Sequence, residues 1–166
     1  MPGDGELVLT TRSGEETRAL GEALGGLLAA GDVVCLSGEL GAGKTVLAQG
    51  IGAGLGVTEP VSSPTFALAH EYRGRLPVWH LDVYRVRSLD ELIDLSWQEL
   101  LSGGGVVVIE WPERIAGGLP PDRLEVSLAY GDDDAREIRL RGTGPRAREV
   151  LAGLEQRSAP AGAPRN

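Results

Sequence analysis

The sequence predicts a single α/β domain: a central, mostly parallel sheet with antiparallel strands at its edges and helices flanking it. Three observations lead there. Short apolar runs alternate with segments of helical spacing along most of the chain. Two of those runs, at Val33–Ser37 and Val106–Glu110, are apolar without alternation, the pattern of strands buried on both faces. A length of 166 residues with 42% hydrophobic content suffices for one substantial core and not for two. The domain is expected to span residues 1–157, with a flexible tail over 158–166 rich in Pro, Ala and Gly.

Taken in order, Glu6–Thr11 alternates like a strand. Ser13 followed three residues later by Glu16 reads as a helix start, and that helix is expected to run to about Ala30. Gly31-Asp32 turns the chain into the strand Val33–Ser37, and a second helix is expected from Lys44 to about Leu55, although Gly50, Gly52 and Gly54 each weaken it. Residues Thr65 to Tyr72 read as extended up to a turn at Gly74, and Pro77–Asp82 as a buried strand ending on an acid. Ser88 with Glu91 opens a helix expected to reach Leu101, where Gly103-Gly104-Gly105 ends it. The strand Val106–Glu110 again closes on an acid. Leu124–Tyr130 and Glu137–Arg141 read as strands joined through the solvated turn Gly131-Asp132-Asp133-Asp134, and helical spacing returns from about Arg146 to Glu155.

The chemistry concentrates at Gly38-Glu39-Leu40-Gly41-Ala42-Gly43-Lys44-Thr45, a match to G-x-x-x-x-G-K-[ST] lying between a strand and a helix. In such a P-loop the glycines let successive backbone N–H groups aim at phosphate oxygens, and the following helix adds its positive end. The domain is therefore expected to be P-loop NTPase-like, binding ATP with Mg2+ through Glu39, Leu40, Gly41, Ala42, Gly43, Lys44, Thr45 and Val46. Lys44 would reach the β- and γ-phosphates and the Thr45 hydroxyl would be a ligand to magnesium. Lys44 is the only lysine among 16 basic residues, so in an arginine-biased chain the one lysine stands where the motif needs it. Asp82 and Glu110 close strands beside the P-loop, where a magnesium ligand or a water-orienting carboxylate sits.

Other features narrow the field. A net charge of −8 argues against a broad electrostatic footprint on nucleic acid, so any contact with RNA is expected to be indirect. No apolar run approaches the length of a membrane span and no secretory leader opens the chain, so a cytoplasmic location is expected. Cys35 reads as a small buried residue, and His70 and His80 as surface or packing residues, with no zinc-like spacing.

Gly38–Thr45, Ser63-Pro64-Thr65-Phe66, His80-Leu81-Asp82-Val83-Tyr84-Arg85 and Glu110-Trp111-Pro112-Glu113-Arg114 together resemble the bacterial TsaE (YjeE) family. That resemblance, over residues 6–141, implies an ATPase of tRNA threonylcarbamoyladenosine biosynthesis working with TsaB and TsaD on tRNAs that read codons beginning with adenine. There, hydrolysis resets the complex and does not form the bond to adenosine 37. It further implies that Thr65 lies in a switch-like loop near the γ-phosphate, that Asp82 helps hold magnesium, and that Glu110 and Trp111 lie near the nucleotide and matter for turnover. One position departs from the family pattern: Val46 stands where a second Ser or Thr is common. Two other readings share the P-loop. A small-molecule kinase would use some of Arg73, Arg75, Arg85 and Arg87, and a nucleotide-gated binding module would use the loop Ser62–Phe66 without turnover. A GTPase would need a guanine-reading Asn-Lys-x-Asp, which a chain with one lysine cannot supply.

Overall fold

Seven strands line up in one sheet, and the chain visits them out of order. The structure, a computed structural model, describes residues 5–38, 43–58, 69–82, 104–110 and 118–158. Its elements are β1 (Glu6–Thr11), α1 (Gly14–Gly25), β2 (Val33–Gly38), α2 (Lys44–Gly54), β3 (Ala69–Arg73), β4 (Pro77–Asp82), β5 (Val106–Glu110), β6 (Leu124–Tyr130), β7 (Arg136–Gly142) and α3 (Pro145–Ser158). The sheet order is β1-β7-β6-β2-β5-β4-β3. Parallel pairing joins β6, β2, β5 and β4, while β3, β7 and β1 are attached antiparallel. This is the expected architecture, a parallel core with antiparallel edges.

Burial explains which strands sit where. Val33, Val34, Cys35 and Leu36 of β2, and all of β5, are buried on both faces. The outer strands β6, β7 and β1 alternate instead, leaving one side to solvent. Val34, Leu36, Val106, Val108 and Val126 belong to one core cluster with Leu24 of α1, Leu47 and Ile51 of α2, and Val150 and Leu154 of α3. Alternation sends Val33, Cys35, Leu81, Val107 and Ile109 to the opposite face, and they too are buried.

Helix α1 opens as expected. Ser13 Oγ accepts the Glu16 N–H (3.1 Å), but the Glu16 carboxylate accepts from Arg12 N–H (2.7 Å), one residue earlier than a standard capping box. The helix ends at Gly25 and not near Ala30. Leu27 and Leu28 turn back to the carbonyls of Leu24 and Gly25, Asp32 accepts the Ala29 N–H (2.8 Å), and Gly31 takes φ +93° to reverse the chain. Arginines from elsewhere cap this end: Arg75 donates to the carbonyls of Gly25 (3.0 Å) and Leu28 (2.8 Å), and Arg146 to that of Leu27 (2.8 Å). Arg146 also grips Asp32 through Nε and Nη2, and the bond to Asp32 raises the pKa of the guanidinium.

The helical glycines of α2 have a tertiary reason. A Cβ on Gly21 of α1 would lie 2.5 Å from the Leu47 carbonyl oxygen and 2.9 Å from the Gly50 Cα, and Gly25 and Gly54 meet in the same way one turn on. Glycine is what lets the two backbones touch. Of the remaining expectations, β3 begins at Ala69, the helix from Ser88 to Leu101 lies outside the described residues, and α3 runs through Ser158, with residues from 159 outside them.

Candidate functional site

Parallel strands that end together leave a crevice at their carboxyl edge. Here β2, β5 and β4 lie side by side and finish at Gly38, Glu110 and Asp82. In register, Leu36 is opposite Glu110 and Glu110 is opposite Asp82. The two acids singled out from the sequence are thus neighbours, Glu110 one strand and Asp82 two strands away from the P-loop strand.

Two glycines mark the described ends of the P-loop. Gly38 has φ +144° with the Leu128 carbonyl packed against its Cα, so a side chain has no room, and Gly43 has φ +107° as the N-cap of α2. The leading N–H groups of an α-helix point out along its axis, and in α2 these belong to Lys44, Thr45 and Val46, ahead of Leu47, whose N–H bonds to the Gly43 carbonyl (2.9 Å). Lys44 is only 5% exposed, and its Nζ donates to the Gly38 carbonyl at 2.7 Å, so the lysine folds back across the loop. A buried ammonium needs oxygen partners, and phosphate oxygens are of the same kind.

Beside this turn lies a cavity of 290 Å³, lined by Ser13, Gly14, Thr17, Gly43, Val46, Asp134 and Arg136. Its walls come from the start of α1, the start of α2 and the β6–β7 turn. Nothing local in the sequence marks Ser13, Thr17 or Arg136 as site residues, because only the fold brings them to the P-loop. The acidic turn is exposed, as expected for a solvated one, yet its Asp134 reaches the cavity rim.

His80 departs further from its sequence reading. It is 1% exposed, and its Nε2 sits 2.6 Å from Oε2 of Glu110, itself 3% exposed. It is a buried partner of a candidate site residue. His70, half-buried, meets the Tyr72 hydroxyl through Nδ1 at 3.1 Å.

The remaining predicted site residues, Glu39, Leu40, Gly41, Ala42, Thr65 and Trp111, lie outside the described residues. Among those described, no three His, Cys, Asp or Glu side chains gather into a metal cage. Magnesium in a nucleotide site does not require one, since it keeps water and phosphate oxygens as most of its ligands. Arg75, one of the arginines a kinase reading would need, is occupied in capping α1.

Known proteins resemble this chain both in sequence and in fold. A family model described as threonylcarbamoyl adenosine biosynthesis protein TsaE matches residues 11–138. The chain is 46% identical over 128 residues to the tRNA threonylcarbamoyladenosine biosynthesis protein TsaE of Treponema pallidum, covering 77% of this chain and 95% of that protein. To the protein of the same name from Bacillus subtilis it is 42% identical over 142 residues, covering 85% and 89% respectively. The crystal structure of Bacillus subtilis YdiB superposes with a TM-score of 0.82 at 35% identity, covering 92% of this chain and 95% of that one. Likeness in sequence and likeness in fold each cover most of the chain, and on both grounds it belongs to the TsaE family.

Proposed function

We propose that this chain is the ATP-binding and ATP-hydrolysing component of tRNA threonylcarbamoyladenosine biosynthesis, acting in the cytoplasm with TsaB and TsaD. The observation that carries the nucleotide part is Lys44: a buried ammonium held over the Gly38 carbonyl at the N-terminus of α2, beside the 290 Å³ cavity. In this reading Lys44 exchanges the carbonyl for β- and γ-phosphate oxygens, and the amides of the loop and of the first turn of α2 take the rest of the phosphate charge. Base and ribose occupy the cavity between Ser13, Thr17, Val46 and Arg136. Thr45 and Asp82 would hold a magnesium ion, which would supply charge neutralisation on the phosphates. Glu110, at the adjacent strand end, orients the attacking water, and Thr65 and Trp111 are the further residues assigned to the nucleotide by the family resemblance. The net charge of −8 fits a component that meets tRNA through its partners.

The test is ATP turnover by the purified chain, alone and with TsaB, TsaD and tRNA. Slow turnover alone and faster turnover in the assembly are expected, because a site completed by partners lacks part of its transition-state stabilisation without them. Lys44→Ala and Glu110→Gln should each lower assembled turnover by about 100-fold or more, and tRNA modification with it. Partner-independent turnover that neither substitution affects would leave at most a binding role.

A further inference from the structure

The imidazole of His80 is a polar group in an apolar setting. It lines a small cavity with Ala48, Gly52, Val57, Tyr72, Val78 and Val108, a space suited to an aliphatic or aromatic side chain. Its Nδ1 is buried with no hydrogen-bond partner among the described residues, so a histidine here carries an unsatisfied nitrogen that a packing residue would not. The compensating contact is Nε2 to Glu110 Oε2 at 2.6 Å, with both side chains nearly fully buried. With the carboxylate ionised and the imidazole neutral, His80 donates Nε2–H and the bare lone pair is on Nδ1.

Strand register makes this contact a consequence of the fold. His80 is opposite Val108 and Asp82 is opposite Glu110, so the imidazole reaches diagonally, one residue pair along, to the carboxylate on the next strand. A single strand, β4, therefore supplies both the acid beside Glu110 and the ring that holds it. A glutamate has three side-chain torsions to fix, and a short charge-assisted bond to a ring clamped by packing removes that freedom.

We infer that His80 is a positioning residue for turnover: through Nε2–H it holds the Glu110 carboxylate in the orientation that serves the P-loop site. This rests on the reading of Glu110 as the group that orients water. A carboxylate released from this bond by about 1 Å loses on the order of 100-fold in rate, with nucleotide affinity little changed because His80 lies behind Glu110.

The experiment uses the full chain with TsaB, TsaD and tRNA and measures kcat and KM for ATP in wild type, Glu110→Gln, His80→Leu, His80→Gln and His80→Asn, with a thermal unfolding scan of each. Glutamine places its amide nitrogen where Nε2 stands, whereas asparagine reaches only the level of Nδ1. The expected result is a fall in kcat for His80→Leu and His80→Asn of about 100-fold at similar KM, with His80→Gln within about tenfold of wild type. Adding His80→Asn to Glu110→Gln should lower kcat no further, since both act through one group. Equal kcat for the glutamine and asparagine variants, or wild-type kcat in His80→Leu while Glu110→Gln is inactive, overturns the inference and leaves His80 a packing residue. Should His80→Leu fail to unfold cooperatively, the Gln and Asn pair decides, because the two amides burden the core alike. Unchanged kcat in Glu110→Gln removes the role of Glu110 itself, and this inference falls with it.

Discussion

Val46 sits in the first turn of α2 and lines the cavity beside Gly43, so in the proposed site a hydroxyl there would face the nucleotide. Val46→Thr is expected to tighten ATP binding about fivefold, the equivalent of one added hydrogen bond of ~1 kcal/mol, read by titration with a fluorescent ATP analogue. No gain would mean that the phosphates do not pass this face of the turn. At this scale the sequence was informative where residues are contiguous: Gly38 and Gly43 take positive φ, Lys44 folds back to the Gly38 carbonyl, and Asp82 and Glu110 meet in register. His80 was passed over because, although its strand read as buried, the partner that gives it a role lies thirty residues away on another strand. Ser13, Thr17 and Arg136 were invisible for the same reason, since a cavity wall assembled from three segments leaves no spacing to read.

Helices α1 and α2 show how an element can contradict its own propensity. Glycine disfavours a helix by about 1 kcal/mol per residue relative to alanine, so Gly50, Gly52 and Gly54 lower any expectation drawn from α2 alone. The benefit is distributed over two helices, in the backbone contact that Gly21 and Gly25 share with Gly50 and Gly54. Gly21→Ala should destabilise the fold by roughly 1–3 kcal/mol, because its Cβ would lie 2.5 Å from a main-chain oxygen that cannot move without its helix. Gly14→Ala, at the exposed start of α1 with nothing within 4 Å, should be neutral or slightly stabilising. Urea denaturation of the two variants checks both signs, and equal stability would mean that the helices can separate without cost. The early end of α1 is a related lesson. Leu27, Leu28, Ala29 and Ala30 keep helical composition, but Arg75, Arg146 and Asp32 take the hydrogen bonds that a longer helix would have made internally.

Over the whole molecule, the α1–β2 turn and α3 are fastened by one ion pair. Asp32, 9% exposed, receives Arg146 through Nε and Nη2 and also the Ala29 N–H. Arg146→Met is expected to cost about 1–2 kcal/mol in urea denaturation, the low end for a partly buried pair because the arginine side chain is 40% exposed. Stability equal to wild type would show that solvent screens the pair completely. The sheet's parallel centre was legible because doubly buried strands leave unbroken apolar runs. Strand order was not, since alternation fixes which face of β1 is buried but not that β7 is its partner. That pairing, Glu6 opposite Arg141 and Thr11 opposite Arg136, has a consequence in time. During translation β1 leaves the ribosome long before β7 exists, so the first strand made is among the last to be secured. Because Ser13 and Thr17 follow directly from β1, and Asp134 and Arg136 belong to the turn into β7, the cavity beside the P-loop cannot close on a nascent chain halted before that turn. On the proposed reading of that cavity, competence to hold a nucleoside is thus withheld until nearly all of the sheet has been synthesised.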